Sequence, residues 1–304
     1  MENNMKTQLE KLKKEKNAVI LAHYYVSDDV QDIADYVGDS FYLAKIAKQT
    51  TADILVFCGV SFMGESAKIL NPDKKVLMPD MIADCPMAHM AAPEKIRQMR
   101  EKYPDLAVAC YINSTAELKC LSDVCVTSSN AVKIVKALPN QNIFFIPDRN
   151  LGRYVAEQVP EKHIIINDEG YCPIHNAISA EQLMEQKEKH PNAPVLSHPE
   201  CEKTILELSD YIGSTAGIIE YAKNSGSQEF IICTEEGIFF KLRTDSLNKQ
   251  FYFPNARPCC PDMKLNTIEK ILHVLETEGN EVIVSEEVRQ KALAPLDKML
   301  ELAK

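Results

Sequence analysis

The sequence lacks an apolar segment long enough to cross a membrane or to form the hydrophobic part of a signal peptide. The apolar run nearest its N-terminus, Ala18 to Ala22, is far too short for either role. We therefore expect a cytoplasmic protein without a membrane partner. Thiols stay reduced in that compartment, so the ten cysteines are not expected to form disulfides.

The sequence also lacks an excess of positive charge. It has 34 Lys and Arg residues against 44 Asp and Glu residues, a net charge of −10. Such a chain is a poor candidate for holding nucleic acid or anionic lipid non-specifically. Small anionic substrates remain possible, because a site can be locally positive within an acidic protein.

Three cysteines lack the nearby cysteine partner, two to four residues away, that structural zinc sites use. Cys85, Cys172 and Cys260 are instead almost evenly spaced, since 172 − 85 = 87 and 260 − 172 = 88. A repeat that supplies one thiol per copy predicts a shared metal or iron–sulfur site. Iron–sulfur cubes normally take four thiolates, so three leave one iron open as a Lewis acid. Cys259 adjoins Cys260, but the period and the Cys-Pro context favour Cys260 as the ligand.

Other cysteines lie in or beside apolar, strand-like segments and are expected to be small, buried hydrophobic residues. They are Cys58, Cys110, Cys120, Cys125 and Cys233. Four residues separate Cys120 from Cys125, as in one ferredoxin spacing, but no further partner lies nearby in the sequence.

The whole chain repeats with the period of the three cysteines. Segments 35–48, 123–136 and 210–223 align, and each copy begins with a charged helical segment. Short apolar strands that alternate with helical patterns predict parallel sheets covered on both faces. We expect an α/β fold of three similar α/β/α sandwich domains, 1–90, 91–177 and 178–304, the last with a helical tail. The alternative is a single doubly wound sheet of nine or more strands.

Polar residues follow the predicted strands at equivalent places in the three copies. His23, Tyr111 and His198 end the first strands and are 88 and 87 residues apart. The hydroxyl residues after the second strands keep the same intervals: Ser40, Ser128 and Thr215. Functional loops of parallel sheets lie at the carboxyl ends of the strands. Packing of the domains about a pseudo-threefold axis would therefore direct these residues and the three cysteines into one central active site.

Acid–base groups occur in pairs at two of these strand ends. His23 with Tyr25, and His198 with Glu200, lie two residues apart and so on one side of an extended segment. Tyr111 and Asn113 hold the matching positions in the second copy. A lone histidine there is often only a buried, hydrogen-bonded residue, but a Glu near an imidazole can act as a general base.

The three hydroxyl residues each open a predicted helix. For any one of them alone, an ordinary N-cap is the simpler interpretation. All three copies keep the hydroxyl, and helix N-termini attract anions, so we expect carboxylate or phosphate binding there. His175 follows Cys172 with the Cys-x-x-His spacing of some zinc sites, which is weak evidence by itself.

Several segments of the sequence closely resemble those of the quinolinate synthases. They occur in the same order as in that family, from about residue 17 to the C-terminal end. The similar segments are HYY, VQDIADYVGDS, VFCGVSFMGESAKILNPDKKVL, DCPM, YINSTAE, CVTSSNA, PDRNLG, GYCPIH, HPEC, GSTAGI and CPDM. The resemblance implies three α/β domains about a pseudo-threefold axis and a central [4Fe–4S] cluster with three cysteine ligands and one open iron. It also implies condensation of iminoaspartate (iminosuccinate) with dihydroxyacetone phosphate to quinolinate, in NAD biosynthesis, with loss of phosphate and two waters.

The resemblance further implies roles for particular residues. The cluster ligands would be Cys85, Cys172 and Cys260. The substrate-binding residues would be His23, Ser40, Tyr111, Ile112, Asn113, Ser128, His198, Pro199, Glu200 and Thr215. The catalytic residues would be Tyr25, Glu200, His23 and Tyr111. Tyr24 departs from the family, many of whose members carry Asn there. An L-aspartate oxidase or dehydrogenase is implied as the source of the imine.

Other functions remain open from the residues alone. The principal alternative is an iron–sulfur hydro-lyase that acts on a small hydroxy acid, because it uses the same open iron. An electron carrier would be expected to have four protein ligands and an exposed cluster. A zinc hydrolase would contain zinc and no acid-labile sulfide.

Overall fold

A computed structural model describes residues 2–254 and 257–304 of the chain. Within those residues, no helix combines the length and the apolar character that crossing a membrane requires. The chain forms three successive units, each with four strands, followed by a helical tail.

The first unit begins with a helix and alternates strands with helices. Its elements are α1 (Glu2–Glu15), β1 (Ala18–His23), α2 (Asp28–Ile33), β2 (Tyr36–Gly38), α3 (Ser40–Gln49), β3 (Ile54–Cys58), α4 (Ser61–Leu70) and β4 (Lys75–Leu77). A short 3₁₀ turn, Pro86–His89, follows Cys85.

The second and third units repeat this order. The second has α5 (Pro93–Lys102), β5 (Leu106–Tyr111), α6 (Ala116–Cys120), β6 (Val124–Val126), α7 (Ala131–Ala137), β7 (Asn142–Ile146), α8 (Arg149–Gln158), β8 (His163–Ile166) and α9 (Pro173–Asn176). The third has α10 (Ala180–Lys189), β9 (Val195–Ser197), α11 (Lys203–Leu206), β10 (Tyr211–Ile212), α12 (Thr215–Asn224), β11 (Glu229–Cys233), α13 (Ile238–Asp245) and β12 (Gln250–Tyr252). The tail contains a 3₁₀ turn (Met263–Leu265), α14 (Ile268–Thr277) and α15 (Glu286–Leu302).

The described strands form three separate sheets with one topology. Their orders are β2-β1-β3-β4, β6-β5-β7-β8 and β10-β9-β11-β12, and all neighbouring strands are parallel. The prediction of three similar α/β units is confirmed, and the alternative of one large sheet is wrong. The domain boundaries and the pseudo-threefold axis stay predictions.

The repeat extends to individual hydrogen bonds. In every unit an aspartate just before the second strand accepts from a backbone N–H of the first strand. The pairs are Ile20 N to Asp35 (2.7 Å), Val108 N to Asp123 (2.7 Å) and Val195 N to Asp210 (2.8 Å). A lysine before each fourth strand donates to carbonyls at the C-terminal end of a helix, where the helix dipole favours a cation. These contacts are Lys74 to Ala47 (3.1 Å), Lys162 to Leu138 and Lys249 to Ala222 (2.6 Å).

The tail joins the first two units. Helix α14 packs against α1, and α15 packs against α4, α6, α7 and β6. The buried core of the first unit is continuous with one face of the second unit and with both tail helices. The third unit has two smaller core clusters of its own.

Gly237 lies where the third unit meets the loop after β1. Its carbonyl accepts from the Gln31 side chain at 2.9 Å. A Cβ on this residue would lie 2.6 Å from the Tyr24 carbonyl oxygen and 2.8 Å from the Tyr25 Cα, so the backbones would have to separate. We expect Gly237→Ala to lower the free energy of unfolding by about 1–3 kcal/mol in denaturant titrations. The matched change Gly226→Ala, with no atom within 4 Å of the new Cβ, should have little effect; equal losses would contradict this view of the junction.

Candidate active site

One cavity of about 180 Å³ is lined by residues from all three units. It collects twelve of the fourteen residues that sequence analysis assigned to the site. They are His23, Tyr25, Ser40, Cys85, Tyr111, Asn113, Ser128, Cys172, His198, Glu200, Thr215 and Cys260. The first strands β1, β5 and β9 thus supply equivalent loops to a shared space, as the period predicted.

Ile112 and Pro199 are not among the described residues that line this cavity. Each lies between two lining residues, in a bend after β5 or a turn after β9. The extended segments expected after the first strands are therefore wrong: Val26 N donates to His23 O at 3.2 Å, and Cys201 N donates to His198 O at 3.0 Å, as in turns. Ile112 is buried instead beside a smaller cavity that also contacts Ser40. Tyr24 lies in the turn after β1 and packs against the core of the third unit. Substrate contact by Ile112 and Pro199 therefore stays a prediction.

The three cysteines of the repeat approach the cavity as largely buried thiols. Burial raises the pKa of Cys85 and Cys172 well above its ordinary value, and it raises that of Cys260 to about 11. A metal centre deprotonates such thiols outright. Thiolates are soft ligands of the kind that zinc and iron–sulfur clusters take, so the three thiols that line this cavity fit such a centre.

Carboxylates position the loops that carry these cysteines. Asp84 accepts from the backbone N–H of Cys85 at 2.8 Å, and Glu235 accepts from that of Cys260 at 3.0 Å. In the second unit burial raises the pKa of Asp148, and the backbone N–H of Cys172 opposes that effect. These carboxylates are buried or half-buried, so the anchoring lies beside the thiols rather than at the surface.

His23 and His198 have equivalent hydrogen bonds. The Nδ1 atom of His23 accepts from the backbone N–H of Tyr25 at 3.2 Å, and that of His198 accepts from Glu200 at 3.3 Å. Burial lowers the pKa of each imidazole to about 3, against the attraction of the Glu200 carboxylate. Both rings are therefore neutral near pH 7, and with Nδ1 accepting, Nε2 carries the proton. Each ring offers the cavity an N–H donor.

Glu200 is buried, with 3% of its surface exposed, and one of its oxygens lies 2.7 Å from His175 Nδ1. Burial alone raises the pKa of this carboxyl, but His175, with a hydrogen bond from Tyr111, outweighs it and holds the pKa below its usual range. Its other oxygen, Oε1, has no hydrogen-bond partner among the described residues. The site therefore contains an ionised carboxylate with one oxygen unengaged.

A hydrogen-bonded chain connects Tyr25 to this carboxylate. The Tyr25 hydroxyl lies 2.7 Å from Thr215 Oγ1 and 2.9 Å from Thr234 Oγ1. Thr234 Oγ1 is in turn 2.9 Å from His175 Nε2, and His175 Nδ1 reaches Glu200. A proton can pass along such a chain, because each hydroxyl and the imidazole both donate and accept.

The comparisons with known proteins agree with this arrangement. The family model described as Quinolinate synthetase A protein matches residues 7–301. The chain belongs to this family. A quinolinate synthase of Fusobacterium nucleatum is 56% identical over 98% of this chain and 99% of its own length. Those of Clostridioides difficile, 51% identical over 100% and 99%, and of Caldicellulosiruptor saccharolyticus, 50% identical over 98% and 98%, are also similar.

For this member of the quinolinate synthetase A family, the N-cap interpretation of the three hydroxyls is wrong. The N-cap of α3 is Asp39, which accepts from Tyr42 N at 2.9 Å, and Ser40 is the first helical residue. The N-cap of α12 is Ser214 rather than Thr215. Helix α7 begins at Ala131, with Asn130 as its cap, after the turn that contains Ser128. Asp39 and Ser214 make the side-chain cap hydrogen bonds of α3 and α12, and Ser128 lies before the start of α7, so all three hydroxyls line the cavity without capping a helix.

Sequence analysis missed several residues of this family site. Thr234, Glu235 and Asp84 were not singled out, and the His175 spacing was treated as weak evidence. The sequence did contain a signal for two carboxylates: Asp148 and Glu235 are 87 residues apart, which is the period of the repeat. The first copy has Val60 at that place, 88 residues before Asp148, and uses Asp84 to hold its cysteine.

Proposed function

We propose that this protein is a quinolinate synthase, which condenses iminoaspartate with dihydroxyacetone phosphate to quinolinate with loss of phosphate and two waters. The observation that carries the proposal is the single cavity in which thiols, neutral histidines, hydroxyls and an ionised carboxylate from three units meet. It occurs in a chain that matches its family over nearly its whole length. The hydro-lyase alternative is not favoured by these relatives.

The cofactor in this proposal is a [4Fe–4S] cluster on Cys85, Cys172 and Cys260. Three soft sulfur donors on one cavity suit iron–sulfur chemistry. When bound, the cluster supplies a Lewis acid through the iron that no cysteine holds. The carboxylates that accept from the Cys85 and Cys260 amides keep the two thiols oriented for it.

Substrate binding is assigned to donors around the cavity. The Nε2–H groups of His23 and His198 donate to carboxylate or phosphate oxygens without carrying a charge themselves. The hydroxyls of Ser40, Ser128 and Thr215 add donors from the three units. The Asn113 side-chain oxygen, which is buried and has no partner among the described residues, accepts from a substrate hydroxyl or imine N–H.

Proton transfer is assigned to the two ends of the hydrogen-bonded chain. Tyr25 moves a proton during isomerisation of the triose, and Glu200 Oε1 removes protons in the later steps that lead to the aromatic ring. Thr234 and His175 connect the two, so a proton taken up at one end can be returned from the other. No net oxidation is needed, and burial of the site protects the imine from water.

Removing the Tyr25 hydroxyl tests its role. Tyr25→Phe keeps the ring but loses the contacts to Thr215 and Thr234, so we expect kcat to fall about 100-fold with a small change in KM. Steady-state assays of quinolinate formation measure both constants. Tyr24→Phe is the matched control, because Tyr24 points away from the cavity; similar kcat losses in both variants would argue against a catalytic hydroxyl.

The function itself is tested with protein purified without oxygen. We expect about four iron and four sulfide per chain, and quinolinate from dihydroxyacetone phosphate and freshly generated iminoaspartate. An L-aspartate oxidase or dehydrogenase serves as the source of the imine, and the proposed coupling predicts faster product formation with that enzyme present. Dehydration of a small hydroxy acid without any quinolinate would support the hydro-lyase instead.

A further inference from the structure

Cys172, His175 and Glu200 form a compact set of three potential metal ligands. Their ligand atoms all lie within 4.8 Å of one another. His175 Nδ1 is 3.2 Å from Cys172 Sγ and 2.7 Å from a Glu200 oxygen. The N-terminal turn of α9 brings Cys172 and His175 together, and the loop after β9 adds the carboxylate.

These separations are close to those of a tetrahedral zinc site. Bonds of about 2.0–2.3 Å place zinc ligands roughly 3.3–3.6 Å from one another. The two measured separations, 3.2 and 2.7 Å, would thus need to open by less than about 1 Å. Thr234 Oγ1, 2.9 Å from His175 Nε2, provides the outer hydrogen bond that orients a metal-binding imidazole. Its hydroxyl both donates and accepts, so it supports the tautomer whose Nδ1 binds metal.

A second observation separates this set from an ordinary buried ion pair. Glu200 Oε1 is buried and has no hydrogen-bond partner among the described residues, which leaves it able to take a cation. The other compact set, Glu235, Glu236 and Cys259, lacks this property. Both Glu235 oxygens are already engaged, one by Cys260 N and Lys264 and the other by Gly237 N.

We propose that the protein without its cluster binds one Zn²⁺ through Cys172, His175 and Glu200, and that this ion blocks cluster assembly by occupying a cluster cysteine. The inference rests on the proposed function only in assigning Cys172 to the cluster. Zinc displaces the Cys172 thiol proton to solvent and leaves its fourth position open. Cys85 and Cys260 take no part in this site, whereas they are required for the cluster.

The test uses cluster-free, fully reduced full-length protein and no substrate. Zn²⁺ is titrated against a chromophoric chelator, and Co²⁺ serves as a spectroscopic substitute. We expect one equivalent of tight binding and a cobalt spectrum with one thiolate. Cys172→Ser and His175→Gln should weaken zinc binding at least about 100-fold, and Thr234→Val about 10-fold or more. Cys85→Ser and Cys259→Ser, each lacking a thiol outside the proposed set, should bind as the unmodified protein does.

Three results would overturn the proposal. Loss of zinc binding in Cys85→Ser with retention in His175→Gln would place the ion on the three cysteines. Loss in Cys259→Ser would place it on the outer set, and no tight binding in the unmodified protein would remove the site altogether. The blocking effect is measured separately: zinc-loaded protein should take up iron and sulfide only after a chelator is added. Because none of these readouts needs quinolinate, they can fail while the proposed activity stands.

Discussion

Serine in place of Cys85 is expected to yield a folded protein that holds no stable [4Fe–4S] cluster and forms no detectable quinolinate. The change replaces one sulfur with oxygen in a half-buried side chain, so the packing around it is nearly retained. A hydroxyl is a poor ligand for iron–sulfur clusters, and one of only three protein ligands is then missing. Lewis-acid assistance is worth several kcal/mol, so activity should fall by at least about 1,000-fold.

Iron and sulfide analysis, visible absorption and quinolinate formation measure this effect in protein purified without oxygen. Cys172→Ser and Cys260→Ser should behave alike, because each unit gives one ligand. Cys259→Ser is the matched control: Cys259 is exposed and adjoins a ligand, yet it lies off the period. If Cys259→Ser lost the cluster and Cys260→Ser kept it, the ligand would be Cys259 rather than Cys260.

Most of the fold could be predicted from the repeat period of the sequence. One thiol, one strand-end pair and one hydroxyl recur at intervals of 87 or 88 residues, and equivalent positions of similar domains take equivalent places. That reasoning assumed that the units pack about one centre, and twelve of the predicted residues line one cavity. Ile112 and Pro199, which only the family resemblance implied, do not line this cavity, and their contact with substrate stays a prediction.

The contacts that complete the site follow from packing between units, which the period does not encode. Thr234 lies in the third unit, His175 lies in α9 of the second, and Tyr25 follows the first strand of the first. Only the folded chain shows that one threonine contacts both of the others. The hydroxyl residues illustrate a subtler limit: a one-residue shift of the helix start decides whether a serine caps the helix or faces a ligand.

The three units are alike in framework but not in chemistry. The aspartate and lysine contacts that brace each sheet are the same three times. The strand-end residues, in contrast, have diverged to His and Tyr, Tyr and Asn, and His and Glu. The repeated framework holds these side chains at equivalent positions after the first strand of each unit. Because the residues differ among the copies, one cavity contains proton donors, neutral binding groups and a base. The only carboxylate at these three pairs of positions is Glu200.

Replacing this carboxylate is expected to have a large effect on catalysis with little effect on folding. Glu200→Gln keeps the shape of the side chain and its capacity to hydrogen-bond with His175 and Tyr111, but an amide cannot take up a proton near neutral pH. We expect kcat to fall about 100- to 10,000-fold, the usual contribution of a general base, with KM changed much less. Cluster content should be unchanged, because Glu200 is not one of the three proposed cluster ligands.

Glu202→Gln provides the comparison, since Glu202 lies two residues further along, is more exposed and is 3.8 Å from Arg149 at the surface. The kcat of Glu202→Gln should stay within about twofold of the unmodified value, because an exposed ion pair contributes little free energy. Single-turnover mixing of cluster-loaded Glu200→Gln protein with both substrates distinguishes the remaining possibilities. If the base acts after condensation, phosphate should be released at the normal rate while quinolinate lags behind it. Phosphate release that slows in parallel with quinolinate would instead assign Glu200 to the first proton transfer, and unchanged rates of both would remove it from the mechanism.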